Sequence, residues 1–424
     1  MTAGEARSGG DWDERWSAEE VGLLRAVLGL SKASFADRLE IHQRTARRWE
    51  KGETAAIDYR VIAALDDLLC ETVCQATNWP NPLLVRHMKR REVLRRLAAG
   101  AYFPVGGAVL LSNGSPRRIG ASDLAHVEAV SAGLADMYTT VPSEALIGPV
   151  GAHLEDATRL LRESVPSVHL PWLHTLIGDL GVFLGYLSFN ERRLAQAKAY
   201  LGLAKGHARE AGNTELLARV SVASGCASSN IASGQRAPSQ DALKLLEEAD
   251  GLARRASPRL QALAIAHLSE ERAVAEKPYG SDEAFARSQE AFAVSERAEP
   301  APHHPCAVAD YYSLSNGEGL AGYQGIREVL LGRGEQAAET LTAALGKTQA
   351  PRRRVVILAD LGEALVQQDE PDESCDRLSQ GYAMCQAHHF PFGVQRIVGV
   401  RLRFPRRFAG LDCVQGLDEQ LGLG

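Results

Sequence analysis

Apolar residues recur at intervals of three or four along most of this chain. Between residues 120 and 400, stretches that alternate apolar and polar residues and carry β-branched side chains are almost absent. A spacing of three to four places apolar side chains on one face of an α-helix, whereas half-buried strands require alternation. The pattern therefore predicts an all-α protein.

Three short helices are predicted near the start of the chain. Ser17 and Glu20 have the spacing of a capping box, and Ser31 is a suitable N-cap for the second helix. The apolar stripes of these two helices are Val21, Leu24, Val27 and Leu28, then Phe35, Ala36 and Leu39. A further helical segment, 58–75, carries apolar residues at the same spacing and is expected to cover this core from the far side.

The third helix begins at His42 and separates two kinds of side chain. At 100° per residue, Thr45, Ala46 and Trp49 lie on an inward arc. The opposite arc carries Gln43, Arg44, Arg47 and Arg48. Arginine can bind guanine O6 and N7 as a fork, glutamine can pair with adenine, and the remaining cations can neutralise phosphates. Such an arc is often only a solvated face, but its donors suit a DNA major groove.

The helix of 31–39, the short turn and the ending Trp49-Glu50-Lys51-Gly52 together resemble the XRE family, the helix-turn-helix of Cro and lambda repressor. The resemblance implies double-stranded DNA as a partner. It places contacts with DNA bases at Gln43, Arg44 and Arg48. It places contacts with the DNA backbone at Lys32 and Arg47.

Three positions depart from the usual pattern of that family. Lys32 stands in place of Gln, Glu40 in place of the turn glycine, and His42 in place of Ser or Thr. Lys32 keeps a phosphate donor, whereas Glu40 brings negative charge near the DNA side, and His42 is expected to be a weaker cap. Together with the acidic net charge, Glu40 and His42 motivate an alternative: a tetratricopeptide-type interaction adaptor whose head does not bind DNA.

A set of small and apolar residues repeats in the C-terminal two-thirds. Each copy has a glycine followed at offsets of 12, 16 and 19 residues by a small residue, a leucine and another small residue. The copies are Gly185, Ala197, Leu201 and Ala204; Gly325, Ala337, Leu341 and Ala344; Gly362, Ser374, Leu378 and Gly381; and partial ones from Ala242 and Ala284. Small residues recur where two helices cross closely, so we predict an α-solenoid of degenerate tetratricopeptide-like repeats. Segments 123–140 and 146–165 add a further helical pair, and longer loops are expected around 233–239, 278–281 and 300–305.

A helix-turn-helix followed by such repeats resembles bacterial transcriptional regulators of the peptide-responsive RRNPP type. The resemblance implies a cytoplasmic homodimer whose solenoid binds a peptide, a small molecule or a protein effector. Asparagine and tyrosine on the inner helices are then the candidates for holding that effector, namely Tyr186, Asn230, Asn316 and Tyr323.

Charge is distributed unevenly over the 424 residues. Residues 1–100 contain 16 Lys and Arg against 15 Asp and Glu, whereas residues 101–424 contain 31 against 38. The formal net charge of −6 argues against indiscriminate coating of nucleic acid and fits a localised basic footprint.

The seven cysteines are scattered without a C-x-x-C pair, which favours reduced thiols in the cytoplasm over disulfides or a zinc ribbon. The histidines at 303–304 and 388–389 lack helical metal-site spacing, so no metal is expected. Residues 317–322 match G-x-G-x-x-G but lack a preceding strand, which disfavours a dinucleotide cofactor. No catalytic motif indicates an enzyme.

These observations divide the chain into five segments. A flexible tail, 1–14, precedes the helix-turn-helix domain, 15–78, and a basic connector and strap, 79–122. The repeat domain is predicted over 123–403, followed by a C-terminal tail, 404–424. Arg86 to Arg96 in the connector resemble a twin-arginine export signal, but they lie far from the N-terminus, and we expect them to cover the next domain or to add phosphate contacts.

Overall fold

A computed structural model describes residues 16–28, 30–39, 41–50, 61–62, 64–65, 68–69, 119–138, 141–231, 235–275, 278–297 and 320–423. The chain divides into two compact units. One comprises Met1–Arg117 with Ala125–Val141, and the other comprises Arg118–Leu124 with Pro142–Gly424. The described residues contain helices and no strand, which confirms the all-α prediction.

The first unit begins with three short helices, α1 (Ala18–Val27), α2 (Lys32–Arg38) and α3 (Gln43–Glu50). The Ser17 hydroxyl accepts the Glu20 N–H, and the Glu20 carboxylate accepts the Ser17 N–H at 2.8 Å, so the predicted capping box is present. Ser31 caps α2 by accepting the Ser34 N–H at 3.1 Å.

The core of these helices is built from the predicted apolar stripes. Both aromatic residues of α2 and α3, Phe35 and Trp49, are buried, and Ala46 lies 1% exposed. The other buried apolar residues described in this unit near the helices are Trp16, Val21, Leu24, Ala36, Leu39, Leu65, Leu68 and Leu69. Burial of this stripe, rather than intrinsic propensity, stabilises helices of seven to ten residues.

Two longer helices follow, α4 (Ala121–Met137) and α5 (Ser143–Leu160), close to the predicted spans 123–140 and 146–165. The boundary between the two units falls within α4, after Leu124. α5 packs against α6 (Leu170–Asn190), the first helix of the repeat region.

The repeat region consists of antiparallel helix pairs. They are α6 with α7 (Leu194–Glu210), α8 (Thr214–Ser228) with α9 (Gln240–Ala253), α10 (Pro258–Val274) with α11 (Pro278–Arg297), α12 (Ala321–Leu330) with α13 (Gly334–Lys347), and α14 (Pro351–Gln367) with α15 (Pro371–His388). Two last helices complete the region, α16 (Pro391–Leu402) and α17 (Asp412–Leu421).

The first helix of each pair lies on the inner side of the solenoid. α6, α8, α10, α12, α14 and α16 each contact the next in this order. Helices buried all round are typical of the interior of a large protein, and α6 is buried without interruption from Leu176 to Asn190. α16 also contacts α6, with the rings of Phe189 and Phe392 5.0 Å apart. The inner helices therefore form a closed ring.

Each pair is held together at the small positions found in the sequence. A Cβ atom built on Gly185 would lie 2.8 Å from Leu201 Cδ2, and one built on Gly362 would lie 2.8 Å from Leu378 Cδ2. A Cβ atom built on Gly325 would overlap with Leu341 Cγ. Real Cβ atoms essentially never lie so close to another atom, so glycine at these positions lets the leucine of the second helix pack without being displaced. The solenoid prediction is thereby confirmed.

Two predicted boundaries are wrong. The loop expected at 278–281 is the first turn of α11, because Pro278 provides a suitable first-turn residue for a helix. The expected tail, 404–424, instead contains α17, in which Val414 and Leu417 are buried. α17 packs against α15, as the second helix of a further pair would, and so belongs to the solenoid. The loop predicted around 300–305 and the connector residues Arg86 to Arg96 lie outside the described residues.

One segment of the described chain, Ser167–Asn190, is long and apolar enough by composition to cross a membrane. It contains α6, and 72% of its most apolar window is buried inside the protein. Its apolar character is accounted for by its position in the inner ring.

Candidate functional site

The exposed face of α3 carries the residues that the sequence predicts for DNA contact. Arg44, Arg47 and Arg48 are exposed, and Gln43 is half-buried. Ala46 and Trp49, on the opposite arc, are buried in the core. In the described part of the chain, none of the three arginines forms an ion pair with a carboxylate.

The turn between α2 and α3 is held by local hydrogen bonds. His42 Nδ1 accepts the backbone N–H of Arg44 at 3.2 Å, so His42 caps α3 despite departing from Ser or Thr. The Ile41 N–H donates to the Ala36 carbonyl at 3.0 Å and brings the two helices together. Lys32 lies half-buried in the first turn of α2. Glu40 lies outside the described residues.

Two of the predicted effector residues lie in the inner ring. Of the predicted effector residues, Tyr186 on α6 and Tyr323 on α12 are buried, and Asn230 is half-buried just after α8. Asn316 lies outside the described residues. The contacts around Tyr323 include several polar side chains of neighbouring helices, which makes it the most informative of the four.

Tyr323 belongs to a cluster that we call the His267 cluster: Cys226, His267, Glu270, Tyr323 and Arg353. The His267 ring meets the Tyr323 ring edge-on, with centroids 5.0 Å apart, and the Arg353 guanidinium lies 4.5 Å above the same tyrosine. His267 Nδ1 is 3.0 Å from Glu270 Oε2, and Cys226 on α8 acts on the ionisation of the same imidazole. Residues from α8, α10, α12 and α14 therefore meet at one place on the ring.

The ionisation of this cluster reflects opposing effects of burial and charge. Burial alone would lower the pKa of His267, but Cys226 and Glu270 together raise it well above the usual value for histidine. Burial raises the pKa of Tyr323, although Arg353 and His267 counteract it. Burial also raises the pKa of Glu271, the neighbour of Glu270. A buried imidazole with a raised pKa, next to a carboxylate, is the main electrostatic feature of this cluster.

A second polar cluster lies further along the inner ring, on α14. Asp360 accepts two hydrogen bonds from Arg396, at 2.6 and 3.1 Å, with both side chains buried. Glu363 pairs with Arg403 at 2.7 Å and with Arg236 at 2.5 Å. Burial would raise the pKa of Glu363, but Arg236 and Arg403 hold it below the usual value.

The sequence analysis did not single out His267, Glu270 or Arg236. His267 and Glu270 are three residues apart on one helix, a spacing at which side chains meet, and this was the available signal. Cys226 and Arg353 come from other helices, so only the fold brings them to the cluster. In the described residues, no three His, Cys, Asp or Glu side chains are arranged to hold a metal ion.

No protein family matches the chain, and no curated protein matches it. Among solved structures, it is similar to the Signal Transduction ATPase with Numerous Domains (STAND) protein with a tetratricopeptide repeat sensor from Pyrococcus horikoshii, with a TM-score of 0.38 and 11% sequence identity. The match covers 95% of this chain, which spans 62% of that protein's length. The geometry of the chain itself establishes an all-α protein in which three short helices precede a helical-repeat solenoid.

Proposed function

We propose that this protein is a sequence-specific DNA-binding transcription regulator. The observation that carries the proposal is the arrangement of α2 and α3: Phe35, Ala46 and Trp49 are buried, which leaves Arg44 and Arg48 exposed on the opposite arc. This is the arrangement that a recognition helix requires, because it must be held by its core face and present donors to the groove.

Within this proposal the exposed donors have different roles. Gln43, Arg44 and Arg48 bind base edges, because glutamine and arginine can each form two hydrogen bonds with a purine. Arg47 and Lys32 bind phosphates and set the orientation of the head on the duplex. A few side chains therefore recognise the sequence of the double-stranded DNA site, and other side chains position the protein on it.

The solenoid is proposed to be the regulatory part. Its inner helices bury charged residues that contribute nothing to an apolar core, such as Glu270 and Asp360. Buried polar atoms are costly unless they are hydrogen-bonded, and Glu270 Oε1 and Asp360 Oδ2 have no hydrogen-bond partner among the described residues, which supports a binding role on the inner side. The effector is a peptide, a small molecule or a protein, and the solenoid forms a homodimer in the cytoplasm that sets the spacing of two heads.

Selection of bound sequences from a random DNA library with the full chain tests the proposal. We expect enrichment of one motif. The variant Arg44→Ala/Arg47→Ala/Arg48→Ala should lose it, whereas a control with alanine at the exposed solenoid residues Arg162, Arg209 and Arg255 should keep it. Absence of any enriched motif for the folded wild-type chain would favour an interaction adaptor whose head does not bind DNA.

Gel-shift titrations with graded spacers then test the dimer. Two heads related by a two-fold axis should prefer half-sites about 10 base pairs apart, or a multiple of that. An insertion of about five base pairs should weaken binding far more than a full turn. A dimer that neutralises on the order of 6 to 10 phosphates should show a log–log salt slope of roughly −5 to −9. Affinity independent of helical phase would show that the heads bind separately.

A further inference from the structure

The loop between α8 and α9 contacts the inner helices through two of its residues. Within 235–239, Arg236 and Ser239 are half-buried, and the other three residues are exposed. The Arg236 guanidinium lies 2.5 Å from Glu363 Oε2 on α14, and the Ser239 N–H donates to Glu271 Oε2 on α10 at 3.2 Å. Both of these contacts therefore end on carboxylates of inner helices.

The two carboxylates of Asp360 and Glu363, which we call the α14 carboxylates, are already paired without this loop. Arg403 donates two hydrogen bonds to Glu363, at 2.7 and 3.0 Å. Arg396 donates two to Asp360, at 2.6 and 3.1 Å. Two negative charges thus face two positive charges from α16 and the residue that follows it. Arg236 is a third guanidinium, which the balance of charge does not require.

One oxygen of the α14 carboxylates has no hydrogen-bond partner. Asp360 is 2% exposed, and both bonds from Arg396 go to its Oδ1. Its Oδ2 accepts no hydrogen bond from any described residue. Buried carboxylate oxygens are normally hydrogen-bonded, because taking them out of water is costly. The α14 carboxylates therefore keep an acceptor for one more donor.

The contact of Arg236 with this site is a strained compromise between burial and pairing. Burial lowers the pKa of its guanidinium, and the attraction of Glu363, opposed by Arg403, does not bring that pKa back to the ordinary value. The charged form of Arg236 is therefore less stable here than in water. A free guanidinium has five N–H donors in a planar fork and can donate to two acceptors at once. A ligand that also donates to Asp360 Oδ2 gains a bond that Arg236 does not make.

We propose that the α14 carboxylates form a binding site for a guanidinium-bearing ligand, and that Arg236 occupies this site as an internal competitor. The inference rests on the proposed role of the solenoid as the regulatory part. The guanidinium of the ligand displaces Arg236 from Glu363 and donates a further bond to Asp360 Oδ2. Residues 235–239 are then released from α14. The ligand is a small guanidinium compound or the arginine side chain of a peptide.

An internal competitor lowers the apparent affinity for the ligand. A partly buried ion pair that favours the occupied loop by roughly tenfold leaves the site vacant in about one chain in ten. The apparent affinity is reduced by the same fraction. Removal of Arg236 should therefore tighten ligand binding about tenfold, whereas removal of a purely structural ion pair would not.

Calorimetric titration of the full chain tests the site with two arginine probes, N-acetyl-arginine amide and the peptide acetyl-Ala-Ala-Arg-Ala-Ala-amide. The matching citrulline compounds have nearly the same shape without the charge. We expect both the wild type and Arg236→Ala to bind an arginine probe at least tenfold more tightly than its citrulline counterpart. Arg236→Ala should bind that probe roughly tenfold more tightly than the wild type. Arg255→Ala, at an exposed arginine after α9, is the matched control and should bind as the wild type does.

Hydrogen–deuterium exchange locates the binding. An arginine probe at saturation should make the backbone amides of 235–240, proline excepted, exchange faster in the wild-type chain, because the loop is displaced. In Arg236→Ala the same probe should leave the exchange of this loop unchanged. Equal affinities for the two arginine probes would identify a small guanidinium compound as sufficient, and tighter binding of the peptide would identify an arginine side chain in a peptide.

Three results would overturn the proposal. They are no binding of either arginine probe to folded Arg236→Ala, equal binding of the arginine and citrulline probes, and equal affinity of the wild type and Arg236→Ala. Circular dichroism establishes that each variant is folded. The titrations contain no DNA, so their failure leaves the proposed DNA binding intact, and loss of sequence selection by the head would leave the guanidinium site intact.

Discussion

Arg236 and Glu363 form an ion pair of 2.5 Å, although Arg236 lies in the loop between α8 and α9 and Glu363 lies on α14. Glu363 also accepts hydrogen bonds from Arg403, at 2.7 and 3.0 Å, so it joins three separate parts of the chain. The loop is thereby fixed to an inner helix of the solenoid that is distant in sequence.

Loss of this ion pair should loosen the loop without unfolding the solenoid. In Arg236→Ala, Glu363 keeps Arg403 as a partner, so the inner helix should stay folded. We expect the backbone amides of 235–240, except that of proline, to exchange hydrogen roughly tenfold faster. This factor corresponds to a loss of about 1.4 kcal/mol in the free energy of opening the loop. Hydrogen–deuterium exchange with mass spectrometry measures this. Arg255→Ala, at an exposed arginine after α9, is the control and should leave exchange of the loop unchanged. Unchanged exchange in Arg236→Ala would mean that the loop is held by other contacts.

Alanine variants of the proposed DNA-contact residues on α2 and α3 should distinguish base contacts from phosphate contacts. Arg44→Ala or Arg48→Ala should each reduce discrimination between the selected site and random DNA by about 1 to 3 kcal/mol. Lys32→Ala should weaken both DNAs by the same factor, because a phosphate contact carries no sequence information. Competition titrations at one salt concentration measure the ratio. Equal weakening of specific and random DNA in Arg44→Ala would contradict the assigned base contact.

Two glycines, Gly185 on α6 and Gly202 on α7, test whether close packing of the helix pair depends on a missing side chain. Gly185→Ala should destabilise the solenoid by roughly 1 to 3 kcal/mol, because its Cβ would lie 2.8 Å from Leu201 Cδ2. Gly202→Ala has nothing within 4 Å of its Cβ and should instead stabilise α7 by up to about 1 kcal/mol. Urea unfolding of both variants gives the two signs. A neutral Gly185→Ala would show that Leu201 can move aside at little cost.

Asp360 and Arg396 form a buried ion pair, so removal of one partner leaves the charge of the other buried and unpaired. Arg396→Met should destabilise the protein by about 3 to 5 kcal/mol, since it leaves Asp360 buried without its main counter-ion. The double variant Asp360→Leu/Arg396→Met should recover part of that loss. Arg377→Met, in the exposed pair with Glu373, is the control and should cost less than about 1 kcal/mol. Equal costs for Arg396→Met and Arg377→Met would rule out a special role of burial.

A histidine pair across α6 and α7 should make the solenoid sensitive to acid. His174 Nδ1 and His207 Nδ1 are 2.9 Å apart, and burial together with His174 lowers the pKa of His207 below 6.5. The unfolded chain then binds a proton at this residue more readily than the folded chain, so stability falls as the pH drops below about 6.5. His207→Gln should lose less stability than wild type between pH 7 and pH 5, measured by urea midpoints. His169→Gln should behave as wild type, and an unchanged slope in His207→Gln would assign the acid sensitivity elsewhere.

The sequence by itself determined the local structure, because helical periodicity and capping act over three or four residues. Ser17, Ser31 and the stripe around Phe35 predict α1 and α2, and the opposed arcs of α3 predict which residues are exposed. The glycine and leucine offsets likewise predict the helix pairs, since both residues of each contact lie within one repeat.

Closure of the inner ring was decided only by tertiary structure. Phe189 meets Phe392, His267 meets Tyr323, and Arg236 meets Glu363 because the small rotation between successive pairs accumulates around the solenoid. No periodicity in a single sequence encodes that sum, which depends on the side-chain volumes at every interface. The predicted recognition surface was therefore accessible from local pattern, whereas the His267 cluster required the fold.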